Sequence, residues 1–164
     1  MKNLLFLIIL AGVITSCQKK QLFSASPEID IIKKGNEAYV KGDWTTLRSL
    51  YADTAHIWVN SWFGPELTPD KFIEIEKAGA ADFTDVKLST DNAIYEMVVT
   101  DDGDHWVHYW AGWSGKAAKT GKEAKSAVHI AAQVEHGKVV NFLVVIDSLP
   151  AFLASQPDST QVMK

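Results

Sequence analysis

The apolar positions of this chain change period near residue 83. Before that point they recur every three or four residues, as in Trp44, Leu47 and Leu50, which indicates amphipathic helices. We predict a first helix after Pro27 that ends at residues 42–43, a short second helix capped by Asp43, and a third beginning at residues 68–70. The first half of the chain is therefore mainly helical.

The second half reads as strands. Runs rich in Val, Ile and aromatic residues are separated by short turns that contain Gly. One earlier strand is predicted at 56–60, between the second and third helices. The later strands are predicted at 83–89, 93–100, 105–116, 124–135 and 139–147, with a short closing helix at 149–155.

Helices followed by long antiparallel strands predict an α+β fold, with N-terminal helices packed on a strongly curved, mainly antiparallel sheet. The strands predicted from residue 93 onward run 8 to 12 residues, longer than the usual 5 or 6, so the sheet must curl and enclose an apolar pocket. Segment 139–146 is apolar at every position except Asn141. Such a strand is buried on both faces, most simply by a second copy of the chain, which predicts a homodimer through the sheet.

The N-terminus reads as a secretion signal. Lys2 precedes an 11-residue apolar stretch, too short for the roughly 20 residues of a membrane-spanning helix. The stretch ends in Ile14-Thr15-Ser16-Cys17, which resembles the lipobox of bacterial lipoproteins. Cys17 would then be lipidated and anchor the protein to a membrane. The alternative is a plain secretory signal in which the cysteine has no such role.

This interpretation divides the chain into four parts. Residues 1–16 form the removed signal peptide, 17–27 a lipid-anchored tether, 28–155 the folded domain and 156–164 a disordered tail. Removing the first 16 of 164 residues leaves 148, enough for one domain. The residues after Cys17 are not acidic, which favours the outer membrane, facing the periplasm, within the cell envelope.

Composition and residue spacing argue against several kinds of binding site. The formal charge is −4 and the only cysteine is Cys17, so the chain has no basic patch for nucleic acid and no second thiol for a disulfide or redox motif. His105 and His108 are three residues apart on a predicted strand, where they point to opposite faces and cannot form a metal-ligand pair. We therefore predict no metal site, no cofactor and no nucleic-acid partner.

Two segments resemble a known superfamily. The stretch YVKGDWTTLRSLYADTAHIWVN (39–60) resembles the opening of the nuclear transport factor 2-like superfamily, in particular its SnoaL-like branch. The stretch EHGKVVNFLVVID (135–147) resembles the closing strands of the same proteins. The resemblance implies a conical α+β fold with a deep apolar pocket, often dimerised through the sheet. Its members include cyclases, isomerases, dehydratases and proteins that only bind, so the fold does not determine the activity.

The resemblance also points to candidate catalytic residues. Asp147 matches the position at which polyketide cyclases of this superfamily carry an acid/base, with His108 or His56 as its partner. The alternative is that Asp147 only caps the helix that follows, and that each histidine is structural. The position of the ketosteroid isomerase base is occupied by Val59, which cannot abstract a proton.

The position of Asp147 depends on strand register. A two-residue turn at His136-Gly137 would pair Ser126 with Asp147, with Val128 on the face of Asp147. A three-residue turn would shift the register by one residue and reverse this arrangement, because such a slip moves every side chain to the opposite face.

Aromatic residues are the candidate ligand contacts. They would suit a small, flat, hydrophobic ligand, although they could equally fill a large core. The sequence therefore predicts an extracytoplasmic lipoprotein that binds a small hydrophobic molecule or supports an envelope complex, with a cyclase, isomerase or dehydratase as the alternative. The candidate ligand-binding residues are Trp58, Trp62, Trp106, Trp110 and Tyr95.

Overall fold

The computed structural model describes residues 21–157. The predicted signal peptide, Cys17 and residues 158–164 lie outside the described residues. The helices are α1 (Pro27–Lys41), α2 (Trp44–Ser49), α3 (Pro69–Ala81) and α4 (Leu149–Ser155). The strands are β1 (Leu22–Phe23), β2 (Tyr51–Val59), β3 (Phe83–Leu88), β4 (Ile94–Val99), β5 (His105–Ala117), β6 (Glu123–Glu135) and β7 (Lys138–Ile146).

Local sequence signals set the helix ends. Ser26 caps α1 by accepting a hydrogen bond from the Ile29 N–H (3.2 Å), and Asp43 caps α2 by accepting from the Thr46 N–H (2.9 Å). Between the two helices Gly42 adopts φ 67°, a left-handed conformation that ends α1 with its N–H bonded to the Tyr39 carbonyl. These caps confirm the predicted helix boundaries.

The strands form one seven-stranded sheet. Its order is β1-β4-β5-β6-β7-β2, with β3 paired to β5 beside β4. Every pairing is antiparallel except that between β2 and β7. Strands β5 and β6 have 13 residues each and curve around the helices. The predicted α+β fold with a curved, mainly antiparallel sheet is confirmed.

Two strand segments were not predicted. Leu22 and Phe23 form β1 within the predicted tether and pair with Val98 and Met97, because a two-residue strand is too short to show a period. Strand β2 starts at Tyr51 rather than at residue 56. Its first half has polar residues at 53–54 and a register irregularity against β7, which hide the strand pattern.

The main core lies between the helices and the concave face of the sheet. It includes the buried side chains of Ile29 and Ile32 from α1, Phe72 from α3 and Tyr109 from β5. Within residues 21–157, no helix has both the length and the apolar character needed to cross a membrane. The helices do not pack closely against the whole concave face of the sheet. A cavity lies in the space that remains between them.

Candidate functional site

A cavity of about 110 Å³, partly open to solvent, lies between the helices and the sheet. An engineered apolar cavity of about 150 Å³ is large enough to hold benzene, so this one suits a ligand of about one ring. Its wall is predominantly apolar and aromatic. The lining residues are Ile31, Ile32, Gly35, Asn36, Tyr39, Leu47, Leu50, Tyr51, Val59, Phe72, Glu76, Leu88, Tyr109, Trp113, Val128, Ile130, Val139, Phe142, Val144 and Ile146.

Among the described residues that line the cavity, Glu76 is the only acidic one, and none is Lys, Arg or His. The residue is surrounded by protein but keeps some accessible surface, because that surface faces the cavity. Burial raises the pKa of its carboxyl from 4.5 to about 7. Among the described residues, no side chain forms a hydrogen bond or an ion pair with it. Near neutral pH the cavity therefore contains a carboxyl group that exists in both protonation states.

Helix α3 places Glu76 there by its period. Pro69, Phe72 and Glu76 are spaced i, i+3 and i+7, so they share one face of the helix, and Pro69 and Phe72 are both buried. Glu74, two residues away, points to solvent and pairs with Lys71 at 2.8 Å. The signal that could have identified Glu76 from sequence is thus a charged residue on the buried stripe of a helix.

Two tyrosines accompany Glu76. Burial and then the nearby charge of Glu76 raise the pKa of the Tyr39 hydroxyl, and the same two causes raise the pKa of Tyr51 well above its usual value. The indole N–H of Trp113 donates to the Tyr39 hydroxyl at 3.2 Å. Both hydroxyls are therefore close to the carboxyl and neutral at physiological pH, available to donate or accept hydrogen bonds.

Asn36 adds a side-chain amide to the cavity wall. Its side-chain amide donates to the Tyr95 hydroxyl at 3.0 Å, and the Tyr95 ring lies 4.6 Å from that of Tyr109. Tyr95, a predicted ligand contact, thus lies beside the cavity and touches two of its residues without lining it. It fixes the positions of Asn36 and Tyr109.

The predicted pairing of Ser126 with Asp147 is wrong. The two-residue turn at His136-Gly137 forms as predicted, with Glu135 paired to Lys138 and both turn residues at positive φ. A register shift then occurs beyond Val134, which pairs with Val139, so that β7 contains one extra residue. After this bulge Val128 pairs with Ile146.

The bulge determines where Asp147 lies. Ile146 shares the cavity face with Val128, and Asp147 is exposed instead. Its carboxylate accepts a hydrogen bond from the Leu149 N–H at the start of α4 (3.0 Å), which is the capping arrangement. The structure therefore does not place Asp147 in the cavity.

The candidate histidines also lie outside the cavity. His56 is half-exposed, and its Nδ1 lies 2.7 Å from a carboxylate oxygen of Glu66. His108 Nδ1 lies 3.3 Å from His129 Nε2 on the convex face of the sheet. Asp147, His108 and His56 thus share no cavity, and their catalytic role stays a prediction. Within the described part of the chain no three His, Cys, Asp or Glu side chains form a group that could hold a metal ion.

The predicted tryptophan wall is on the convex face as well. Side chains alternate along β5, so Tyr109 and Trp113 face the cavity while Trp106 and Trp110 face away. Trp62 bridges two of its neighbours, with ring centroids 4.8 Å from Trp58 and 6.3 Å from Trp106. The aromatic wall of the cavity is instead formed by three tyrosines, two phenylalanines and Trp113. Ligand binding by the four convex-face tryptophans stays a prediction.

No protein-family model and no curated protein matches the sequence at a significant level. Solved structures do match the fold. A candidate polyketide cyclase from Xanthomonas campestris superposes with a TM-score of 0.64 at 14% identity, covering 79% of this chain and 97% of that one. The candidate polyketide cyclase IdmH from Streptomyces antibioticus gives 0.62 at 20% identity, covering 79% and 98%. An NTF2-like protein from Burkholderia thailandensis gives 0.61 at 20% identity, covering 81% and 99%. The chain therefore has the nuclear transport factor 2-like fold that its two sequence segments resemble.

Proposed function

We propose that the domain binds a small, largely apolar organic molecule in the cavity between its helices and its sheet. The observation that carries this proposal is the composition of the cavity wall, which among the described residues is apolar and aromatic with a single unpaired carboxyl group. Ligand sites commonly combine an apolar lining with a few polar groups that fix orientation. Glu76 is the orienting group here, and the volume limits the ligand to about one ring.

Filling the cavity tests this proposal. Val128 lines the cavity at 7% exposure, and Val128→Phe would occupy the space that a ligand needs. Toluene is a suitable probe, and its binding is measured by ligand-observed NMR. The wild type should bind toluene and Val128→Phe should not. Val40→Phe is the matched control, because Val40 is 40% exposed on α1 and does not line the cavity. Equal binding by all three proteins would place toluene elsewhere and contradict the proposal.

A second candidate function is acid/base catalysis by Glu76. A carboxyl whose pKa is raised by burial to about 7 can both donate and accept a proton at neutral pH, as general acid/base catalysis requires. This candidate retains the cyclase or isomerase alternative and replaces Asp147 with a residue of the cavity. It predicts an enzymatic activity that is lost in Glu76→Gln. In the wild type the rate of that reaction should change with pH around a midpoint close to 7. Activity that survives in Glu76→Gln would exclude this role.

We further propose that the domain is displayed outside the cytoplasm on a lipid anchor at Cys17 and pairs with a second copy through the convex face of the sheet. The lipobox-like sequence supports the anchor. Apolar side chains on the convex face support the dimer, including Trp106 and Trp110 on β5. Trp110 and Val145 of this face remain 38% exposed in one chain, so a second copy would remove apolar surface from water.

A further inference from the structure

We infer that the cavity takes a small organic cation, of the alkylamine or quaternary ammonium class, whose charge is balanced by Glu76 and whose apolar groups contact the aromatic wall. This inference rests on the proposed ligand-binding function and adds the chemical class of the ligand. It applies to the cavity between the helices and the sheet and uses no residue of the convex face.

The first argument is the charge of the wall. Within the part of the chain that the structure describes, Glu76 is the only lining group that carries charge near neutral pH, and no Lys, Arg or His lines the cavity. An anionic ligand would find no cation there and would be repelled by the carboxylate. A neutral apolar ligand would leave the carboxylate buried without a partner. A cation is the one class of ligand that this charge favours.

The second argument is that none of residues 21–157 is a hydrogen-bond or ion-pair partner for this carboxylate. Elsewhere on the same helix Glu74 pairs with Lys71, whereas Glu76 has no hydrogen bond or ion pair among residues 21–157. Isolated buried carboxylates are costly, and proteins normally pair them. A ligand that brings the missing positive charge would remove this cost when it binds.

The third argument is the chemistry of the surrounding rings. Tyr39, Tyr51, Tyr109 and Trp113 all line the cavity. The faces of Tyr and Trp rings carry negative electrostatic potential and attract ammonium groups, most strongly where water is excluded. An aromatic wall with one carboxylate therefore matches the surface of an alkylated ammonium ion, which is apolar outside and positively charged.

The inference also predicts a coupling between binding and protons. The titratable residues that line the cavity with Glu76 are Tyr39 on α1, Tyr51 on β2 and Tyr109 on β5, and burial raises the pKa of each hydroxyl. Among the described residues of the wall, Glu76 is thus the only one that titrates between pH 5 and 8. A cation binds the ionised carboxylate, so its affinity should fall as the pH drops below about 7, the raised pKa that burial gives Glu76.

Choline and 3,3-dimethylbutan-1-ol test the inference, because they have the same shape and differ in one positive charge. Neither titrates in this pH range. We would measure binding of each to the full chain by calorimetry, in a maltoside detergent without choline headgroups. Choline should bind at pH 8 about tenfold tighter than the alcohol, and should weaken at least about tenfold by pH 5.5. Glu76→Gln should lose this preference, whereas the exposed control Glu74→Gln should keep it.

The outcomes separate the inference from the proposed function. If the alcohol binds as tightly as choline, or if choline binding is unchanged by pH and by Glu76→Gln, the inference of a cationic ligand is wrong. The proposal of a neutral ligand in the cavity then remains. If toluene binds but neither choline nor 3,3-dimethylbutan-1-ol does, the inference of a cationic ligand is also wrong, while the proposed ligand-binding function stands. If the wild type binds none of the three probes, both the proposed ligand-binding function and the inference of a cationic ligand are wrong. The pH series on the wild type decides the matter even if Glu76→Gln folds poorly.

Discussion

The carboxyl of Glu76 should make the protein less stable as the pH rises. Burial raises its pKa from 4.5 to about 7 in the folded chain, so the folded state holds the proton more tightly than the unfolded state. This contribution to stability is complete below pH 4.5 and is lost as the pH rises through about 7. Replacing the carboxyl by an amide in Glu76→Gln removes the titration and keeps a side chain of nearly the same shape.

The magnitude follows from the two pKa values. They differ by about 2.5, and each unit corresponds to about 1.36 kcal/mol. The product of these two numbers is the free energy of unfolding that the folded chain loses when Glu76 ionises. Because the carboxyl faces a cavity that is partly open to solvent, we reduce this free energy to about 2–3 kcal/mol. Glu76→Gln should therefore match the wild type in unfolding free energy at pH 4 and exceed it by about 2–3 kcal/mol at pH 8.

Urea unfolding of the full chain, followed by tryptophan fluorescence at both pH values, measures this difference. The matched control is Glu74→Gln on the same helix, whose carboxylate is exposed and paired with Lys71. An exposed pair of this kind contributes less than about 1 kcal/mol. If Glu76→Gln lowers the stability at pH 8, then Glu76 is ionised and well paired in the folded chain, and if it changes the stability equally at both pH values, then the pKa of Glu76 is not raised by folding. The argument for an unpaired cavity carboxyl would then be wrong.

Three further predictions concern the rest of the molecule. Cys17→Ser should move the protein from the membrane fraction to the soluble fraction of cells without changing its circular dichroism, and a variant that stays membrane-bound would contradict the lipid anchor. Val145→Arg places a charge on the convex face and should convert a dimer to a monomer in sedimentation velocity, whereas a monomeric wild type would contradict the dimer. Burial and the nearby His108 lower the pKa of His129, so the wild type should lose stability as the pH falls below 6.5. His129→Gln should lose less stability in urea unfolding, and equal losses would contradict the lowered pKa.

The fold was predictable because its signals are local. The Asp43 cap, the Gly42 stop and the alternation along β5 each depend on a few neighbouring residues, and each appears in the structure as the sequence indicates. The HG turn at 136–137 was predictable for the same reason. Periodicity also separates the two faces of β5, but it does not indicate which face is concave.

The site was less predictable because it depends on features without a local signal. The extra residue of β7 beyond Val139 lies within a run that is apolar at every position except Asn141, so nothing in the pattern marks the bulge. That one residue decides whether Asp147 or Ile146 faces the cavity. Glu76 was hidden in the sequence Phe-Ile-Glu-Ile-Glu-Lys (72–77), whose alternation obscures the helical stripe that begins at Pro69.

The two faces of β5 and β6 have different chemistry, and this difference bears on function. The concave face combines tyrosines with an unpaired carboxyl from α3, which suits a small polar or charged group within an apolar cavity. The convex face stacks Trp110 and His129 with ring centroids 4.6 Å apart, which suits contact with a second protein surface. If both roles hold, a substitution such as Val145→Arg should change the oligomeric state without changing ligand affinity. Glu76→Gln should do the opposite, because its side chain enters the cavity from a helix rather than from the sheet. A single variant that altered both properties would show that the two faces are coupled through the strands.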